Sequence, residues 1–291
     1  MEHVHDTGER RRVRSLFVSD LHLGSRFAQA EPFLTFLEAH QPEYLYIVGD
    51  FLDGWSLRRS WRWRAVNTRI LQHLLGWAWS GVTIRYAPGN HDAFLRDFLR
   101  DFIWFEVADE FVHEAADGRR FVVIHGDQFD GVETHGTWLS KLGSMGYDVL
   151  LAIDRSLNYV RRRLGRRPWQ LSAGVKSRIK RVVAFLSGFE QRLLEHAHRK
   201  QCQGVVCGHI HIPVIAERDG ILYCNAGDWV ENCSALLEFD DGELRLVQFC
   251  LETGTISVRE SSPAVPAAAV GAALEDAVRT EPRQPELEPH A

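Results

Sequence analysis

The segment RSLFVSDLHL, residues 14–23, decides the fold because a short apolar strand runs directly into an aspartate and a histidine. We predict the strand over Val13–Val18, where β-branched and aromatic residues are enriched. Asp20 and His22 follow it. Taken alone, such a strand end is more often an ordinary turn than a metal site.

The same arrangement recurs after four later apolar stretches. Predicted strands at Tyr44–Val48, Val82–Ala87, Phe121–Ile124 and Gly204–Cys207 run into Gly49-Asp50, Gly89-Asn90-His91-Asp92, His125-Gly126-Asp127 and Gly208-His209-Ile210-His211. Helices are predicted at Pro32–His40 and Ala65–Trp79, so strands and helices alternate as in a layered α/β core. Because open α/β sheets bind ligands outside the carboxyl ends of their strands, we expect these five strand ends to form one site.

The side chains at these strand ends are carboxylates, imidazoles and an amide, without a thiolate. This donor set favours divalent Mn, Fe, Zn or Ni over copper(I) or an iron–sulfur cluster. Seven such side chains exceed the needs of one tetrahedral zinc, but they suit two cations that share a bridging carboxylate. A pair of cations of this kind can activate a water and stabilise a transferred phosphoryl group.

Composition excludes several classes of protein. A formal net charge of −5 argues against a chain that coats nucleic acid along its length. No apolar run approaches the roughly 18 residues that cross a bilayer, and the N-terminal segment has no apolar core of a signal peptide. Five scattered cysteines without CxxC spacing indicate reduced thiols, so the sequence predicts a cytoplasmic protein.

In their order and residue types, the five strand-end blocks resemble those of the calcineurin-like metallophosphoesterases. The resemblance implies an α/β fold of four layers, in which two mixed β-sheets are flanked by helices and carry a helical insert. It implies two divalent cations, with Mn²⁺ favoured and Fe or Zn as alternatives. Their ligands would be Asp20, His22 and His211 for one cation, Asn90, His125 and His209 for the other, and Asp50 as the bridge. His91 would act on the leaving oxygen, and Asp92 would orient its imidazole.

Within this family, the chain is most similar to the diphosphatases that cleave UDP-2,3-diacylglucosamine to UMP and a lipid monophosphate in lipid A synthesis. The cues are the segment Ser19–Leu23, the helical insert and the segment Asn225–Trp229. The chain departs from the well-known form of that enzyme at His91, where the enzyme has Arg. The alternatives are a soluble nucleotide phosphodiesterase and a non-catalytic scaffold of the same fold.

We predict that the chain divides into a disordered N-terminus over 1–12, a phosphoesterase domain over 13–258 and a disordered tail over 259–291. The insert is expected at about 135–200, with apolar residues repeating every three or four positions over Leu150–Leu164 and Ile179–Leu194. Residues 154–200 hold 13 Lys or Arg and three acidic residues, which predicts peripheral contact with the anionic inner face of the membrane. The alternative is a charged face exposed to water. No nucleic acid is expected as a partner, and no pattern predicts an oligomeric state.

The stretch WSLRRSWRWR, residues 55–64, follows the predicted bridging aspartate. Arg59 and Arg62 could bind substrate phosphates, while Trp61 could stack on a base or sugar. The alternative is the start of an amphipathic helix whose tryptophans pack into the core.

Overall fold

The computed structural model describes residues 10–98, 104–130 and 173–265, with the backbone alone at 98 and at 173–184. The predicted helix over Leu150–Leu164 and most of the predicted insert lie outside these residues. The described strands are β1 Arg11–Val18, β2 His40–Ile47, β3 Thr83–Tyr86, β4 Glu106–Val107, β5 Glu110–Glu114, β6 Arg120–Ile124, β7 Gly204–Cys207, β8 Val214–Arg218, β9 Ile221–Asn225, β10 Ser234–Glu238, β11 Leu244–Phe249 and β12 Ile256–Ser262. The described helices are α1 Ala30–Glu38, α2 Gly54–Arg59, α3 Ala65–Trp79, α4 Leu95–Phe98 and α5 Ala173–Arg199, with a 3₁₀ turn at Asp127–Phe129.

The strands form two mixed sheets. The first has the order β12-β11-β10-β1-β2-β3-β4, and the second has the order β5-β6-β7-β9-β8. β1 to β4 run parallel to one another, while β10, β11 and β12 are joined to them by antiparallel pairing. In the second sheet β6, β7 and β9 are parallel, with antiparallel β5 and β8 at the edges.

Alternate residues of β1 supply two separate layers of core, because successive side chains of a strand point to opposite faces. Leu16 and Val18 pack with residues of α1 and α3, whereas Phe17 packs with Phe121 and Val206 of the second sheet. Helices α1 and α3 therefore cover the outer face of the first sheet, and the inner faces of the two sheets meet.

Helix α5 covers the outer face of the second sheet. Its buried residues Phe189, Leu193 and Ala197 pack with Val122 and Val205. The resulting helix, sheet, sheet, helix order confirms the predicted four-layer α/β fold. No helix among the described residues has the length and apolar character needed to cross a bilayer.

The ordered strands extend past the predicted domain limits at both ends. β1 begins at Arg11, and β12 continues to Ser262, so residues 259–262 form strand where disorder was predicted. The backbone of β12 pairs with β11 from Phe249 opposite Ile256 to Leu244 opposite Ser262. β12 is the edge strand of its sheet, and this pairing holds it in place. Its polar sequence is not one from which a strand would be predicted.

The carboxyl ends of β1, β2 and β3 lie at one edge of the first sheet because these strands are parallel. The ends of β6 and β7 are likewise together in the second sheet. Two hydrogen bonds join the two sets, since His209 N donates to Asp20 Oδ2 at 2.9 Å and His125 Nδ1 donates to Val48 O at 2.9 Å. All five predicted strand ends thus meet at one end of the sandwich.

Candidate metal centre

Five predicted metal ligands have backbone φ angles in the left-handed region: Asp20 at 53°, His22 at 49°, Asp50 at 49°, His209 at 68° and His211 at 57°. This region is unfavourable for residues other than glycine and costs about 1–3 kcal/mol at each position. The sharp turns that it produces aim the side chains back across the strand ends. Strain of this kind, concentrated on one set of polar residues, marks a functional site.

Two neighbouring glycines leave room for these side chains. A Cβ atom at Gly89 would overlap Asp50 Oδ1 and the His125 ring, and one at Gly208 would overlap Ser19 and Asp20. Glycine is therefore required at positions 89 and 208, because side chains of the site approach the backbone closely there.

Carboxylate oxygens and imidazole nitrogens form three compact groups, each with its candidate donor atoms within 4.8 Å of one another. The groups are Asp20, His22 and His211; His22, Asp50 and His91; and Asp20, Asp50 and His125. Sharing of Asp20, His22 and Asp50 among them makes one continuous donor cluster, which is the arrangement expected for adjacent cations.

The first predicted cation site is compact. His211 Nε2 lies 2.9 Å from Asp20 Oδ1, and His22 Nε2 lies 3.6 Å from the same oxygen. The two imidazole nitrogens are 3.5 Å apart, so their donor atoms converge on one small volume. A divalent cation suits this set, because imidazole and carboxylate are its usual protein ligands.

The second predicted cation site is built around His125. Its Nδ1 lies 2.9 Å from the carbonyl oxygen of Val48, and that carbonyl fixes the tautomer by accepting the Nδ1 proton. Nε2 is therefore the nitrogen left to bind a cation, and it lies 3.5 Å from Asp50 Oδ2. Among the described residues, buried His125 Nε2 and Asn90 Oδ1 have no hydrogen-bond partner. Buried polar atoms are normally partnered, so these two fit a cation that they would ligate.

Asp50 lies between the two sites. Its Oδ2 is 3.5 Å from His125 Nε2 and 3.8 Å from His22 Nε2, while its Oδ1 accepts a 2.8 Å hydrogen bond from His91 N. Asp50 can therefore reach both sites, and its bridging role stays a prediction.

His209 belongs to none of the three compact groups. Its Nε2 lies 2.8 Å from Asp130 Oδ2, and its ring centre lies 5.1 Å from that of His125. With Nε2 engaged by the carboxylate, Nδ1 is the nitrogen left to bind a cation. Asp130, a residue that the strand-end pattern does not include, therefore positions a predicted ligand.

Replacing Asp130 by Ala should lower the affinity for the second cation by about 10–100-fold, because such carboxylates orient the imidazole and raise its basicity. Thermal stability should change little. Titration calorimetry with Mn²⁺ measures the effect, and Asp127→Ala in the same loop is the matched control. Unchanged affinity for both cations would exclude the positioning role.

His91 lies at the outer side of the cluster. Its Nε2 is 3.9 Å from Asp50 Oδ2, and its Nδ1 is 3.2 Å from Asp53 Oδ1. The ring of half-exposed Trp55 lies against the imidazole, with ring centres 3.9 Å apart. The imidazole is thus held on two sides while its Nε2 faces the donor cluster.

The residue that orients His91 is Asp53 rather than Asp92. Asp92 accepts hydrogen bonds from Gly89 N at 2.7 Å, from Leu52 N at 3.2 Å and from the Tyr86 hydroxyl. It fixes the turn that carries Asn90 and His91, but it does not contact the imidazole. Asp53 is the N-cap of α2 and accepts from Ser56 N at 2.9 Å. The signal for it was its place three residues after Asp50.

The charges in the cluster balance one another. Burial raises the pKa of Asp50, but the nearby His125 outweighs burial and lowers the pKa to about 2. Burial also raises the pKa of Asp20, and His211 lowers it well below the usual range. Burial lowers the pKa of His125, but the charge of Asp50 outweighs burial, so the pKa lies well above its ordinary value. The carboxylates are therefore ionised at neutral pH, which suits a site for cations.

The three residues predicted to contact substrate lie outside the donor cluster. Arg59, Trp61 and Arg62 are exposed, and Trp61 stacks on Trp63 with ring centres 6.1 Å apart. The alternative of tryptophans that pack into the core is wrong for Trp61, whose exposed fraction is 75%. Contact with substrate stays a prediction for these three.

A comparison with known families identifies the family of the chain. The family model of calcineurin-like phosphoesterases matches residues 13–213, which include all the predicted ligands. The chain belongs to the calcineurin-like phosphoesterase family. This membership confirms the predicted family and the predicted class of metal-dependent hydrolase.

Curated relatives of this phosphoesterase carry the name UDP-2,3-diacylglucosamine hydrolase. The one from Porphyromonas gingivalis is 32% identical over 125 residues, which are 40% of this chain and 47% of the relative. The match therefore spans about half the length of that protein. The one from Salmonella schwarzengrund is 27% identical over 226 residues, which are 70% of this chain and 85% of the relative.

Solved structures with a similar fold include Yfce, a phosphoesterase from E. coli, with a TM-score of 0.45, 17% identity and coverage of 86% of this chain and 99% of that one. A mutant of Vps29 from Entamoeba histolytica has a TM-score of 0.46, 14% identity and coverage of 86% and 98%.

Proposed function

We propose that this phosphoesterase hydrolyses the pyrophosphate of UDP-2,3-diacylglucosamine, or of a similar lipid-linked nucleotide, to UMP and a lipid monophosphate. The observation that carries the proposal is the continuous donor cluster with His91 and Asp53 at its outer side. The names of the curated relatives support the choice of substrate.

In this proposal, Asp20, His22 and His211 hold one divalent cation and Asn90, His125 and His209 hold the other, with Asp50 between them. When bound, such a pair supplies a water of low pKa and positive charge for the phosphoryl oxygens. Mn²⁺ is the favoured ion. The donor set is also compatible with Fe or Zn.

His91 is proposed to donate a proton to the leaving phosphate oxygen from Nε2. Asp53 accepts a hydrogen bond from Nδ1–H and so keeps the ring in the orientation that aims Nε2 at the cluster. Trp55 covers one face of the imidazole and limits its rotation.

The proposed cellular setting is the cytoplasmic face of the membrane, where the protein would bind peripherally through its basic insert. Five arginines of that insert, Arg161–Arg163, Arg166 and Arg167, lie outside the described residues. Their contact with anionic lipid is proposed from charge alone.

A second candidate is a soluble nucleotide phosphodiesterase. His91 favours this candidate, because the well-known diphosphatase has Arg at this position. A histidine here could donate a proton to the leaving group of many phosphate esters. The third alternative is a non-catalytic scaffold. Such a protein would need neither His91 nor the seven predicted ligands, so the presence of all of them in the sequence disfavours it.

A hydrolysis panel with Mn²⁺-loaded protein separates these functions. It compares UDP-2,3-diacylglucosamine, CDP-diacylglycerol and simple phosphodiesters. We expect release of UMP from the first substrate alone. Preferred hydrolysis of simple diesters would support the nucleotide phosphodiesterase, and absence of turnover on all of them would support the scaffold.

Replacing His91 by Ala should lower kcat by about 10²–10⁴-fold, the usual contribution of a positioned general acid. The content of divalent ions should stay the same, because other side chains hold them. Steady-state kinetics and metal analysis on the same preparation check both points. A variant that loses an ion would instead identify His91 as a ligand, as one of the three donor groups allows.

A further inference from the structure

A second basic surface lies beside the metal centre, in the part of the chain that the structure describes. We call it the Arg–Trp surface, and it consists of Arg26, Phe27, Arg58, Arg59, Trp61 and Arg62, all of them exposed. Phe27 has an exposed fraction of 56% and Trp61 of 75%, high values for large apolar side chains.

The two segments that carry this surface are fixed against each other. The Leu57 side chain occupies the space beside Gly24, and Arg64 donates a 3.0 Å hydrogen bond to Ala28 O. Arg64 also pairs with Glu31 at 3.1 Å. Because the segments are joined at both ends, Phe27 and Trp61 are exposed on an anchored surface rather than on a free loop.

The aromatic rings are also held in place. Trp61 stacks on Trp63, whose indole nitrogen donates a 3.0 Å hydrogen bond to Thr68 Oγ1. The Arg26 guanidinium lies 4.5 Å from the centre of the Phe27 ring. The exposed rings are therefore presented to solvent in defined orientations.

The charge of the surface has one sign. Residues 24–28 and 54–63 contain no Asp or Glu, although the whole chain has a net charge of −5. Arg58, Arg59 and Arg62 form no ion pair with the described acidic residues. A surface that combines unpaired guanidinium groups with exposed aromatic rings is typical of proteins that bind at the boundary of an anionic bilayer.

We propose that the Arg–Trp surface docks on the anionic surface of a lipid bilayer and holds the metal centre next to it. Helix α2 connects the two, since Gly54 N donates to His91 O and Arg59 ends the same helix. At 1.5 Å per residue, the length of α2 is about 10 Å. A substrate whose apolar part stays in the bilayer could therefore reach the centre. The proposal gives Arg59, Trp61 and Arg62 a role at the bilayer in place of the contact with substrate predicted from the sequence, and it does not involve the basic insert.

Two other partners fit the surface less well. Nucleic acid could also pair with these arginines, but a duplex offers no apolar region for the exposed Phe27 and Trp61 rings to enter, as the boundary of a bilayer does. A second copy of the chain would bring two acid-free basic surfaces together.

The test is cosedimentation of the full chain with phosphatidylcholine vesicles, with and without phosphatidylglycerol, at low and high salt. The unmodified chain should prefer the anionic vesicles, and high salt should weaken binding. R58S/R59S/R62S should bind them at least about tenfold more weakly, because each basic residue near an anionic surface contributes favourably. The control R10S/R12S/R259S changes three exposed arginines outside the insert and makes the same change in net charge. It should lose less than about twofold.

The aromatic part has its own pair of variants. Trp61→Ser should weaken vesicle binding, whereas Trp79→Ser should not, although Trp79 is 70% exposed. Equal losses in both arginine variants, or equal binding to both kinds of vesicle, would overturn the proposal. So would tighter binding of duplex RNA through the same arginines, or an effect of R58S/R59S/R62S on KM for a soluble diester alone. Melting temperatures of all variants establish that they are folded, and the insert is unchanged in each.

Discussion

Replacing Asp50 by Ala should abolish hydrolysis and leave fewer than two divalent ions per chain. Asp50 is the carboxylate that lies within 3.8 Å of both His22 Nε2 and His125 Nε2, so its loss removes a donor from both proposed cation sites. Metal analysis after dialysis and a hydrolysis assay measure the two effects.

The matched control is Asp53→Asn, which makes the same change of charge three residues away without touching the bridging position. It should keep both ions while lowering turnover through the loss of the carboxylate on His91. Retention of two tightly bound ions by Asp50→Ala would show that another residue bridges them.

Replacing Glu238 by Ala should reduce the free energy of unfolding by about 3–5 kcal/mol, the usual effect of breaking a buried ion pair from one side. Glu238 is fully buried between the sheets. It accepts hydrogen bonds from Arg14 at 2.7 Å, Ser15 at 2.5 Å and Ala116 N at 2.8 Å, and it lies 2.7 Å from His113 Nε2. Urea unfolding measures the loss.

Glu243→Ala is the control for this change, because Glu243 pairs with Arg245 near the surface and such pairs contribute about 0–1 kcal/mol. Equal losses in the two variants would mean that the buried network around Glu238 adds no stability beyond that of a surface pair.

Glu238 should also make stability depend on pH. Burial raises its pKa, but the hydrogen bond and charge of His113 lower it below the ordinary value of 4.5. A carboxyl whose pKa is lower in the folded state stabilises the fold fully above that ordinary value and loses this contribution as pH falls through the folded value. Glu238→Gln should flatten the dependence below about pH 4.5, as unfolding across an acid series would record.

The sequence could predict which candidate ligands meet within each sheet, because each follows an apolar strand and parallel strands bring their carboxyl ends together. Asp20 and His211 follow strands of different sheets, so the strand pattern places each at a strand end but does not show that the two sheets pack with these ends together. Asp130 and Glu238 could not be found in this way. Their partners, His209 and His113, come from separate segments, and no local pattern reports which loops or which sheet faces meet.

Edge strands were missed for a related reason. β5 and β12 are only partly buried, so their residues do not alternate cleanly between apolar and polar. Backbone pairing with β6 and β11 defines them instead.

Selection for stability and selection for activity should favour different residues at the five positions with left-handed backbone. These positions are Asp20, His22, Asp50, His209 and His211. Glycine would relieve the steric cost at any of these positions but would remove a metal donor. In a random library screened for heat resistance alone, glycine or asparagine should therefore accumulate at these positions, and the survivors should be inactive. A screen that also demands turnover should keep the five wild-type residues and find its stabilising changes elsewhere in the chain.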